Sequence, residues 1–185
     1  MKKHFLFFFI FSFLFSFAVT GDQESGSNQE VKMGVLATGY VSISPSALKP
    51  YLSDDYAYTF WATSREFYFQ STGGNMVTPV APVHLPHGVQ VTGFGVIYTD
   101  NGSGIDDSMN FHLSRHHILT GATDTLAWCT TDVIGFPSSP DRRVLKDLTI
   151  NHGLVDNLHY TYTLHVKFYQ GSNKVKFHSA VIAYY

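Results

Sequence analysis

Cysteine is all but missing from this chain. Its single copy, Cys129, excludes an intramolecular disulfide framework and any multi-cysteine zinc or iron–sulfur site. Charge is scarce as well. Only 14% of the 185 residues are charged, well below the roughly 25% of an ordinary globular chain. That argues against charge-driven disorder and against a coiled coil. A net charge of −2 leaves no basic field to hold nucleic acid. Catalytic signatures are missing too. Ser44, Ser64 and Ser114 lack the Gly-x-Ser-x-Gly context, and no zinc-protease helix is present. Asp54-Asp55 and Asp106-Asp107 are adjacent pairs, and neighbours on a strand point to opposite faces. From Val31 onward no stretch carries a convincing 3.6-residue period. Residues 46–52 and 141–148 fit one short helical turn each.

The one long hydrophobic run stands at the start. Lys2 and Lys3 precede thirteen residues, Phe5 to Phe17, that are Phe, Leu and Ile apart from Ser12 and Ser16. Small residues follow at Ala18 and Gly21. A charged start, a short apolar run and a small-residue exit predict a secretory signal peptide over residues 1–21. The run is short of the roughly 20 residues that a transmembrane helix needs. The expected product is secreted, extracellular or periplasmic, with no membrane span. Its net charge becomes −4, and its aromatics are eleven Tyr, eight Phe and two Trp. Residues 22–38 open on a polar stretch of Gly, Ser, Asn and Gln and are expected to form a flexible leader.

Residues 39–185 read as one domain of short strands. Strand signals recur over 39–44, 66–71, 77–83, 90–100, 108–116, 125–132, 145–151, 159–170 and 174–185, with Gly- or Pro-rich breaks between them. Many short strands with such turns predict an all-β fold, a single antiparallel β-sandwich of jelly-roll type. Over 108–116, Met109, Phe111 and Leu113 share the core face, and Asn110, His112, Ser114 and His116 share the other. Gln90 to Tyr98 is apolar on both faces, as a central strand is. Tyr160, Tyr162, Leu164, Val166 and Phe168 alternate in the penultimate strand, and Val175, Phe177, Ser179, Val181 and Ala183 in the last. Gly171-Ser172 suits a two-residue hairpin between them, which sets His165 opposite His178.

Several segments carry a resemblance. They are Val41-Ser-Ile-Ser-Pro-Ser-Ala-Leu-Lys-Pro50, Ala81-Pro-Val-His-Leu-Pro-His-Gly88, Val91-Thr-Gly-Phe-Gly-Val-Ile-Tyr-Thr-Asp-Asn101, Phe111-His-Leu-Ser-Arg115 and Val155-Asp-Asn157. With the Tyr-rich penultimate strand, they resemble a loose set of secreted bacterial β-sandwich proteins. That set shares a Leu-Pro…Gly turn, a strand ending in Tyr-x-Asp-Asn and a Leu-x-Arg strand. The resemblance spans roughly residues 39–185 and implies a secreted sandwich and nothing finer. This chain is richer in histidine than that set.

Three constellations are candidate sites. A cross-strand His165/His178 pair would bring two imidazoles close enough to share a zinc ion, the alternative being solvated side chains. His112 and His116 stand about 13 Å apart along one strand, too far to share an ion directly. His84 and His87 flank Leu85-Pro86 and suit a turn better than a ligand set. Asp100, Asp106 and Asp107 lie in a Gly-rich loop of oxygen donors that fits calcium, or a plain hairpin loop. Asn101-Gly-Ser103 is a glycosylation sequon where the host glycosylates. Tyr56, Tyr58, Trp61 and Tyr68 could stack on sugars, with core packing as the alternative. Cys129 suits a buried inert thiol.

Together these features predict a secreted, non-catalytic structural or interaction module without a required cofactor. Long sheet edges would let it self-assemble as a homo-oligomer or filament. The alternative is a carbohydrate-binding module with a glycan partner. A metal-dependent enzyme is the remoter one.

Overall fold

The computed structural model describes residues 38–49, 59–62, 65–70, 76–102, 108–132, 138–169 and 172–185. The expected signal peptide and nearly all of the leader lie outside them. The strands are β1 (Gly39–Ile43), β2 (Thr59–Ala62), β3 (Phe67–Gln70), β4 (Val80–Val83), β5 (Val91–Asp100), β6 (Met109–His117), β7 (Thr123–Thr130), β8 (Ser139–Asp147), β9 (Tyr160–Phe168) and β10 (Ser172–Tyr184). A 3-10 turn, Pro45–Ala47, follows β1 and overlaps the start of 46–52, where one helical turn is expected; residues 50–52 lie outside the described ones.

The strands pair antiparallel in two sheets. The larger runs β2-β3-β10-β5-β8, and β1 also pairs with β10. The smaller runs β4-β9-β6-β7. Alternation explains their inner faces. Met109, Phe111 and Leu113 of β6 are buried, as are Tyr162, Leu164, Val166 and Phe168 of β9. They meet Phe67, Phe94, Val96, Tyr98, Val175 and Phe177 of the larger sheet in one core. Aromatic rings bridge the two layers. Phe111 lies 6.1 Å from Phe177 and 6.4 Å from Tyr98, and Phe67 lies 5.8 Å from Phe168. The result is the antiparallel β-sandwich that the pattern predicts, in a jelly-roll arrangement. β5 sits between β10 and β8, the central position expected of it.

Three expectations need correction. The Gly171-Ser172 hairpin does not form. β9 belongs to the smaller sheet and β10 to the larger, and the chain crosses from one layer to the other between them. A period of two fixes which face of a strand is buried, not which sheet it joins. Both strands bury their apolar faces in the same core, from opposite sides. Residues 141–148 hold no helical turn; they lie in β8 and the residue after it. The alternation of β10 also inverts partway. Phe177 pairs with Tyr98 and Ser179 with Ile97, so His178 is an extra residue in a bulge. Beyond it Ala180 and Ile182 face the core instead of Val181 and Ala183.

Candidate functional site

Register lines up the outer face of the smaller sheet. Trp128 of β7 pairs with His112 of β6, His112 with His165 of β9, and His165 with Val80 of β4. The row on one side is Thr130, Asn110 and Lys167. On the other side come Thr125, Ser114 and Thr163, then Thr123, His116 and Thr161. This face therefore carries rings down its middle and hydroxyl, amide and ammonium groups around them.

Trp128 is its most prominent ring, 55% exposed. Its neighbours Ala127 and Cys129 are small and buried, so alternation points the indole outward. The indole lies nearly parallel to the His112 imidazole, with centroids 6.3 Å apart and planes 20° apart. The backbone under it is pinned. Trp128 N–H donates to Asp147 Oδ2 at 2.9 Å, and Thr149 N–H donates to the other carboxylate oxygen at 2.8 Å. Asp147 ends β8, so this contact ties the edge of one sheet to the edge of the other. A cleft of about 580 Å³ runs along that seam beside Trp128, lined by Thr125, Thr130, Lys146, Asp147 and Asn151 among others.

Burial favours the neutral form of His112 and His165. Burial holds the His112 pKa below its ordinary value, and Lys167 adds to this. Burial also lowers that of His165, helped by His116 and His112. His165 Nε2 lies 3.5 Å from His116 Nε2. At the other margin Asn110 donates to the Tyr169 hydroxyl at 2.8 Å, and the Lys167 ammonium sits 4.7 Å from the Tyr169 ring centre.

The expected sites fare unevenly. His165 and His178 lie in different sheets, so the cross-strand pair does not form. His178 is buried instead, with Nδ1 donating to the Arg65 carbonyl at 3.0 Å and Nε2 at 2.8 Å from Thr99 Oγ1. Asp100 Oδ1 accepts from Gly102 N–H at 3.0 Å and caps a turn; Asp106 and Asp107 lie outside the described residues. Asn101 is exposed. Tyr56 and Tyr58 lie outside the described residues. Trp61 pairs with Tyr68 in β2 and β3, and its side chain is not among those described. Tyr68 is half-buried beneath the Lys176 ammonium, 5.5 Å from its ring centre. His87 Nδ1 accepts from Asn157 N–H at 3.1 Å, the turn role expected of it. Among the described residues no group of three or more His, Cys, Asp or Glu is gathered to hold a metal ion.

Trp128 is the residue that sequence reasoning passed over. The signal was there: a large ring between small residues in a period-two stretch. Cys129 beside it is buried and unpaired, and burial pushes its thiol pKa up to about 11. A thiol reagent at pH 8 is therefore expected to label the native protein negligibly and the unfolded protein fully. Rapid native labelling would show that the β7–β8 seam opens.

No protein-family model matches this chain, and no curated protein is similar to it in sequence. Solved structures resemble it in fold. The xylan-binding module CBM15 is 8% identical, with a TM-score of 0.49, over 80% of this chain and 97% of that one. The C-terminal CBM6 of LamC, from Zobellia galactanivorans, is 11% identical with a TM-score of 0.45, over 78% and 98%. The Stig cyclase Fisc, from Fischerella sp. TAU, is also 11% identical, with a TM-score of 0.41 over 78% and 84%. All three are likenesses of fold.

Proposed function

We propose that this protein is an extracellular, non-catalytic carbohydrate-binding module, and that Trp128 is its platform. The exposed indole, flat against His112 on a face otherwise lined with hydroxyls and amides, carries the proposal. A sugar ring has an apolar C–H face and a rim of hydroxyls. An aromatic plane covers the first while neighbouring polar groups answer the second. Two-sheet anchoring holds the platform before the ligand arrives, which limits the ordering cost of binding. Thr125, Thr130, Lys146 and Asn151 in the adjoining cleft supply donors and acceptors beside the ring. The signal-like first 21 residues and the buried thiol suit an extracellular life.

Self-assembly through sheet edges has less to draw on. The β8 edge carries Pro140, Arg142, Arg143 and Lys146, and the four-residue β4 carries Pro82. Proline and positive charge are how sheet edges refuse further strands.

Affinity electrophoresis through gels containing soluble β-glucan, xylan or mannan tests the proposal. Retardation in at least one gel is expected, and Trp128→Ala is expected to abolish it with an unchanged melting temperature. Migration unaffected by every polysaccharide, or equal retardation of the variant, would overturn it.

A further inference from the structure

We propose that His116 and His165 form a two-histidine site for a tetrahedral divalent transition-metal ion, with zinc the ion that fits best. The proposal does not rest on glycan binding. Their Nε2 atoms stand 3.5 Å apart, with ring centroids 5.6 Å apart and planes tilted by 49°. Two imidazole nitrogens bound to one tetrahedral zinc at about 2.0–2.1 Å stand about 3.4 Å from each other. Ligands at right angles, as in square-planar or octahedral ions, would stand about 3.0 Å apart. A hydrogen bond between the rings would be shorter too, at about 3 Å. The separation therefore matches a shared tetrahedral ion better than either.

The two rings come together along the sheet rather than straight across it. His116 pairs with Thr161 and His165 with His112, so the side chains lean toward each other over the Ser114–Thr163 pair. Ser114 is buried on this outer face. His116 Nδ1 lies 2.9 Å from Thr123 Oγ1. With Nδ1–H donating there, Nε2 turns its lone pair toward His165, the arrangement that orients metal-bound histidines. Water completes the coordination. His112, paired with His165 in the register, is a further imidazole on the same face.

Titration calorimetry with zinc chloride at pH 7.5 tests this on the purified protein. One zinc per chain is expected. His116→Ala and His165→Ala are each expected to weaken binding at least about tenfold, and Thr123→Val by about tenfold through lost orientation. His165→Gln is run beside His165→Ala, with melting curves for all, so that loss of metal is separated from loss of fold. Cobalt in place of zinc is expected to give the strong visible absorption of a tetrahedral site. No zinc binding by the parent protein, or equal affinity in the His116→Ala/His165→Ala double variant, would overturn the proposal.

Discussion

Phe111→Ala is expected to destabilise the protein by about 3–5 kcal/mol. Phe111 is fully buried in β6 and reaches across the core to Tyr98 and Phe177 of the opposite sheet. Truncating it removes the transfer free energy of the ring and leaves a cavity. The walls are strands fixed by hydrogen-bonded ladders on both sides, so they cannot close in fully. Urea unfolding gives the number. A midpoint lowered at constant slope is the expected result. A loss below about 1 kcal/mol would mean that the layers do not meet at this ring.

His178→Ala is expected to cost about 2–3 kcal/mol and to weaken the pH dependence of stability. The imidazole sits in the β10 bulge and satisfies a hydroxyl on one side and a carbonyl on the other. Alanine leaves both without their partner in a half-closed space. Protonation is resisted as well. Burial lowers the His178 pKa first, with Arg142 and Lys176 acting the same way and the Arg65 carbonyl and Glu66 opposing. His112 and His165 are also lowered. The unfolded chain binds protons at these three positions near pH 6.5, and the folded chain withholds them until lower pH. Stability is therefore fully present above that value and falls as the pH drops below it. Melting curves between pH 7.5 and 5 should show the decline, with a shallower slope in His178→Ala. A melting temperature that rises on acidification would contradict this.

Much of the fold was legible because apolar side chains alternate cleanly. Met109-x-Phe111-x-Leu113 and the Tyr160-to-Phe168 series name their inner faces correctly. Partnership was not legible. The two C-terminal strands look like a hairpin, since each has one apolar face and a turn lies between them. In a sandwich, the same two faces can oppose each other across the core. Bulges were equally hidden. One extra residue at His178 inverts the face of β10 without any change in composition. A second shift sits where Leu113 pairs with Ala127 and Ser114 with Thr125, leaving Leu126 and Ala127 both buried. The candidate site suffered from the same gap. His165 is expected to meet His178, and that pairing fails; its imidazole meets His116 instead, four residues along the register on a neighbouring strand. Lys167 lies opposite Asn110 in the smaller sheet, and Lys176 pairs with Glu66 in the larger.

The place of β10 governs the order in which the two layers can be acquired. It holds β1 and β3 along one side and β5 along the other, and it comes after all of them in the sequence. Before residues 172–184 arrive, the larger sheet is two separate ribbons, β2-β3 and β5-β8, and β1 has no strand to join. The smaller sheet, by contrast, has every strand by Phe168. The closing pairs span nearly the whole domain, from Gly39 to Tyr184, so their loop entropy falls due last. A chain that becomes available from its N-terminus onward thus stays an open half-sandwich until β10 is added.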